Sequence, residues 1–137
     1  MWRTVASIVV GLLTWGVLAT LLNFGLRLWL PGYALAEPRM AFTLGMMIAR
    51  LLLSAIACLA AGAVIDQIAP ANRDGPWFAG LLLVVLFLPV HVELWNKFPN
   101  WYHLTFLLTL APLVALGASL RPKSDQARGT ASQISTG

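Results

Sequence analysis

Residues 40–68 read MAFTLGMMIARLLLSAIACLAAGAVIDQI, an apolar run that carries only two charges, Arg50 and, close to its end, Asp66. A helix rises 1.5 Å per residue and needs about 20 apolar residues to cross a hydrocarbon layer roughly 30 Å thick. The run exceeds that length and is too long for an ordinary buried strand. Read outward from it, the pattern recurs. Comparable windows lie at 4–30, 76–95 and 101–120, so the sequence predicts four spans. Of the 137 residues, 59% are hydrophobic and 10% are charged, against roughly 25% charged in a soluble domain. Those proportions exclude a soluble globule and a disordered chain. The single cysteine, Cys58, excludes a disulfide scaffold, a CxxC redox site and a Cys-rich zinc site.

The expected fold class is therefore an all-α integral membrane protein, an antiparallel four-helix transmembrane bundle over residues 1–121. Its three connections are short and rich in turn formers. The first, Pro31-Gly32-Tyr33 to Pro38, carries Glu37 and is followed by Arg39; the second runs from Pro70 to Pro76, and the third from Asn96 to Asn100. Short links favour antiparallel neighbours. Asp74 and Asn100 are the expected helix caps, with Pro76 in a first turn. Residues 122–137 are polar, small and aperiodic, which predicts a disordered tail. The two halves share no repeat, so inverted-repeat transport logic gains no support.

Basic residues favour one side. Arg3, Arg73, Arg121, Lys123 and Arg128 share the side of the termini, while Arg27, Arg39 and Lys97 lie opposite. The positive-inside rule then predicts cytoplasmic termini. Ala34-Leu35-Ala36 has the form of a signal-peptidase site, but the preceding apolar run is longer than a signal sequence and Arg27 intervenes, so a signal anchor is expected. No myristoylation or prenylation motif is visible. Seven arginines against two lysines, with abundant Ala, Leu and Gly, suit a GC-rich bacterial source and hence an inner (plasma) membrane. The net charge of +4 reads as topology and attraction to anionic lipid, with no nucleic-acid partner.

Three features are expensive or purposeful enough to single out. Arg50 lies close to the midpoint of span two, roughly 10 Å below the nearer boundary, and an unpaired arginine there costs about 2.5 to 3.5 kcal/mol. Its candidate partners are the carbonyls of Val85 and Leu108, left unpaired by Pro89 and Pro112, and the side chains of Glu93 and Asn23. Arg50 then either pins the bundle together or binds an anion or lipid headgroup. His91 and His103 fall at the ends of spans three and four, where with Glu93 they form a conceivable divalent-metal set, or by themselves an axial pair for haem. The competing reading makes them part of an interfacial aromatic belt with Trp95, Phe98, Trp101 and Tyr102. Small residues recur at i+4 in Ser54, Cys58 and Gly62, in Ala57 and Ala61, in Ser7 and Gly11, and in Gly16 and Thr20, which predicts close helix contacts.

No catalytic template is present: there is no HExxH, GxSxG or phosphate loop, and no pair of acids within a span. The expected role is an accessory or scaffold subunit, or a lipid-binding module, of a larger membrane assembly. Its expected partners are membrane lipid and a second membrane protein or another copy of itself. The alternative is a metal, haem or anionic-ligand site at the ends of spans three and four. A small transporter is third, with Thr14, Asn23, Ser54 and Thr109 as its scattered polar candidates.

Overall fold

The computed structural model describes residues 1–39, 42–71 and 73–120, so the tail expected over 122–137 lies outside the described residues. Every regular element among them is helical. Helix α1 spans Trp2–Trp29, a short α2 spans Tyr33–Ala36 and continues into a 3₁₀ turn at Glu37–Arg39, and α3, α4 and α5 span Leu44–Ile68, Gly75–Glu93 and Asn100–Ser119. The four long helices are long and apolar enough to cross a membrane.

Local chemistry explains the boundaries. Pro31 cannot continue α1, and Gly32 takes φ 80°, a left-handed conformation that glycine enters without steric penalty, which turns the chain back into α2. Thr43 caps α3, its hydroxyl accepting from the Met46 amide at 3.3 Å. Asp74 stands at the N-cap of α4 without a side-chain capping bond to it, and Pro76 occupies the first turn as expected. At α5 the cap differs from the expectation: Pro99, extended at φ −61° and ψ 148°, holds that position and Asn100 is the first helical residue.

The helices pack in the order α1, α3, α5, α4. Arg3 donates to the Ile68 carbonyl at 3.1 Å, satisfying one of the free carbonyls at the end of α3, and Trp15 Nε1 donates to Cys58 Sγ at 3.3 Å. Partners on α1 and α3 are thus met in opposite chain order. On α3 and α5 they run in the same order, from Arg50 with Tyr102 to Gly62 with Val114. On α4 and α5 the order is again opposed, from Gly80 with Ala111 to His91 with His103. The end that carries residues 30–39 and 94–99 is called the distal end below.

These helices are apolar all round, so hydrophobicity cannot choose their inward face; size does. Ala57, Cys58 and Ala61 are buried against Ile65, Leu110 and Val114. Val9, Leu13, Val17 and Leu21 of α1 and Leu81 and Val85 of α4 point outward. At the closest approaches the backbones themselves touch. A Cβ on Gly62 would stand 1.9 Å from the Val114 oxygen, and one on Gly117 would stand 2.1 Å from the Leu59 oxygen. Gly16, expected at a helix contact with Thr20, has no neighbour within 4 Å of where a Cβ would sit, and Thr20 is exposed. Its spacing matched the small-residue pattern, but that part of α1 turns this face away from α3.

Candidate functional site

The distal end holds a connected network of polar side chains from α1, α2, the 3₁₀ turn, α3 and α5. Because Pro31 and Gly32 reverse the chain, α2 folds under the end of the bundle and buries Tyr33 completely. The 3₁₀ turn then carries Glu37 back to α1. Arg27 donates from Nε and from the guanidinium to Glu37 at 2.5 and 2.7 Å, and the Asn23 amide donates to the same carboxylate at 3.1 Å. The Tyr33 hydroxyl donates to Asn23 Oδ1 at 2.6 Å and accepts from Arg50 Nη1 at 2.7 Å. Arg50 Nε donates to the Tyr102 hydroxyl at 3.3 Å, and its guanidinium carbon lies 4.8 Å from the centre of the Phe42 ring.

Every donor in this chain points the same way, from Arg50 through Tyr33 and Asn23 to Glu37. Such an arrangement polarises each bond in the sense of the next. The electrostatic sum is unequal, however. Two guanidinium groups, Arg27 and Arg50, face one carboxylate, and among the described residues the Arg27–Glu37 pair is the one salt bridge. Arg50 is therefore solvated by hydroxyls and an aromatic face, with no described carboxylate in ion-pair reach.

The hydrogen bond from Arg27 holds the Glu37 carboxyl below its ordinary value, helped by Asn23 and opposed by burial. Burial outweighs the nearby Arg50 charge at Tyr33 and pushes its hydroxyl up, so it stays protonated and able to donate. The sign for stability follows from Glu37. Its native carboxyl binds a proton less tightly than in the unfolded chain, so its contribution is complete above the ordinary carboxylate range and is lost as pH falls through the lower native value. Unfolding midpoints followed from about pH 7 to about pH 3 are expected to drop in acid for the native chain. Glu37→Gln is expected to lower the midpoint at neutral pH and to flatten this acid limb; an unchanged limb would count against the assignment.

A second cluster adjoins the first through Tyr102. His91 of α4 and His103 of α5 are both buried, and their Nδ1 atoms lie 2.7 Å apart with the rings nearly perpendicular. Trp95 stacks on His103 at 4.8 Å and Phe106 lies against His91 at 4.6 Å. His103 Nε2 is buried without a hydrogen-bond partner. A separation of 2.7 Å is that of a hydrogen bond. Two nitrogens on one tetrahedral zinc, at about 2.05 Å each, stand about 3.3 Å apart, and the axial pair of a haem stands farther apart still. Glu93, two residues along α4, is exposed on another side, and among the described residues no three His, Cys, Asp or Glu side chains gather as a metal set.

The structure thus brings together Arg50 and Asn23, through Tyr33, and His91 with His103, while Glu93 stands apart. Arg50 bonds two tyrosine hydroxyls, and Val85 and Leu108, whose carbonyls were the sequence candidates, lie on outward faces. Of the expected aromatic belt, Trp95 and Trp101 are exposed, whereas Phe98 and Tyr102 are buried with the histidines. The transport candidates Thr14 and Thr109 spend their hydroxyls on their own helix, at Val10 and Thr105. Tyr33 and Glu37 were not singled out as site residues from the sequence. The available signal was a buriable tyrosine and an acid placed between two prolines next to the costly Arg50. Comparison with family models, curated proteins and solved structures finds no match to this chain.

Proposed function

We propose that this chain is a polytopic protein of a bacterial inner membrane, an antiparallel four-helix bundle with cytoplasmic termini. Its proposed role is that of a lipid-binding accessory module in a larger membrane assembly, with Arg50 as the seat of an anionic headgroup. Insertion is supported by the apolar outer faces and by the exposed tryptophans at the two ends, Trp2 and Trp77 at one, and Trp29, Trp95 and Trp101 at the other. Trp2 and Trp29 lie about 40 Å apart along α1 at 1.5 Å per residue, which matches a bilayer with its interfaces. Tryptophan favours that depth because its ring is amphipathic.

The observation that carries the headgroup reading is the surplus positive charge. A guanidinium held by two neutral hydroxyls in the distal network is a fixed donor for a phosphate, and Arg suits phosphate through its forked geometry. Native mass spectrometry of the purified protein in mild detergent, with phosphatidylglycerol or phosphatidylcholine added, tests it. The native chain is expected to retain phosphatidylglycerol in preference, and Arg50→Gln to lose that preference roughly tenfold, the effect of about 1.4 kcal/mol. Equal retention of both lipids by the native chain, or an Arg50→Gln protein that keeps the preference, overturns the headgroup site.

A further inference from the structure

We infer that the His91–His103 pair is a proton-binding site that clasps α4 to α5 at the distal end and opens when it takes up one more proton. The inference is independent of the headgroup reading. With Nδ1 facing Nδ1 at 2.7 Å, one ring must donate and the other accept, so the neutral pair holds complementary tautomers. His103 Nε2 has no partner and is buried. An N–H there would be stranded among aromatic rings, so His103 donates from Nδ1, its Nε2 is bare, and His91 accepts on Nδ1.

An added proton then has two places to go. On His103 Nε2 it would create an imidazolium whose new N–H, at an atom buried without a partner, lies among the rings of Trp95, Phe98 and Tyr102. On His91 Nδ1 it would set two N–H groups against each other and break the bond. Either site is relieved by the same movement, in which the rings separate and the charge reaches water.

The surrounding charges sharpen this outcome. Arg50 approaches from α3, one hydroxyl away through Tyr102, and adds positive potential. Glu93 on α4 and Lys97 in the following turn are exposed, and Glu93 does not join the two histidines in a cluster. Asn23, Tyr33 and Glu37 lie beyond Arg50. No described carboxylate faces the pair to hold a second charge in place.

The test is hydrogen exchange of the full chain in phosphatidylcholine nanodiscs, at roughly pH 7.5 and roughly pH 4.5, either side of the ordinary imidazole range, corrected for intrinsic exchange. All chains carry Glu37→Gln and Glu93→Gln, so that protonation of the distal-end carboxylates does not contribute. Amides at 89–95 and 100–105 are expected to lose protection about tenfold in acid, corresponding to about 1.4 kcal/mol. His91→Asn with His103→Asn, a pair that can keep one amide–amide hydrogen bond and has no imidazole to take a proton, is expected to show the same protection at both values. His91→Leu is expected to be open at both. Full protection of the parent chain in acid, or acid opening of the double asparagine variant, overturns the clasp. Nitrogen-15 spectra of the imidazoles in the unsubstituted protein give a second check at neutral pH: His103 protonated at Nδ1 and bare at Nε2 supports it, and two rings both protonated at Nε2 overturn it.

Discussion

Gly62→Val is expected to unseat α3 from α5 and destabilise the bundle by about 3 kcal/mol, the upper part of the range for overpacking a close interface. The atoms a side chain would meet at Gly62 are backbone: the Val114 oxygen at 1.9 Å and the Ala118 nitrogen at 2.8 Å. No rotamer change can relieve that. Gly117→Val is expected to act alike, because Leu59 backbone atoms stand 2.1 and 2.6 Å from its Cβ position. Gly11→Ala is expected to cost less, since the nearest atom, 2.5 Å away, is the Ile65 side chain, which can turn. Gly16→Ala and Gly25→Ala meet nothing within 4 Å and are expected to be neutral or to stabilise by about 0.5 to 1 kcal/mol through helix propensity. Unfolding titrations in mixed micelles, read by tryptophan fluorescence, measure the series. If Gly62→Val unfolded at the same detergent fraction as Gly16→Ala, the α3–α5 contact described above would be wrong.

The second large effect is an asymmetry around Arg50. Removing both hydroxyls, in Tyr33→Phe with Tyr102→Phe, leaves a half-buried guanidinium without the groups that solvate it, and stranding a charge in this way costs up to about 3 kcal/mol. Removing the charge instead, in Arg50→Leu, leaves Tyr33 bonded to Asn23 and deletes the group that most needs solvation. The double tyrosine change is therefore expected to be the more damaging of the two. In the Arg50→Leu background the same two tyrosine changes are expected to cost far less, so a cycle of the four proteins in the same unfolding assay should show strong coupling. Additive effects would mean that the hydroxyls do not carry the charge. This prediction concerns stability and holds whether or not a lipid headgroup binds at Arg50.

The residues differ in how far they could be read in advance. Arg50 was legible because an arginine within an apolar run is costly wherever the helix is placed. The close face of α3 was legible too: Ser54, Cys58 and Gly62 are all buried, and spacing by fours places them on one side. The same rule failed at Gly16, because small size permits a contact without supplying the neighbour. His91 and His103 were legible as a pair at similar depth, but a metal, a haem and a hydrogen bond differ by little more than about an ångström in nitrogen separation, which sequence spacing does not resolve.

Four apolar spans, their short connections and the presence of one expensive cation follow from the sequence alone, since length, hydropathy and turn residues are local properties. The inward faces, the seating of Arg50 between Tyr33 and Tyr102, the return of Glu37 to Arg27 and the meeting of the two histidines were decided by the tertiary structure. Helices that are apolar on every side carry no periodic signal of which face turns inward. Arg50 and Tyr102 stand 52 positions apart in the chain. Only packing, set by where glycine and alanine let the backbones approach, brings them to hydrogen-bond distance.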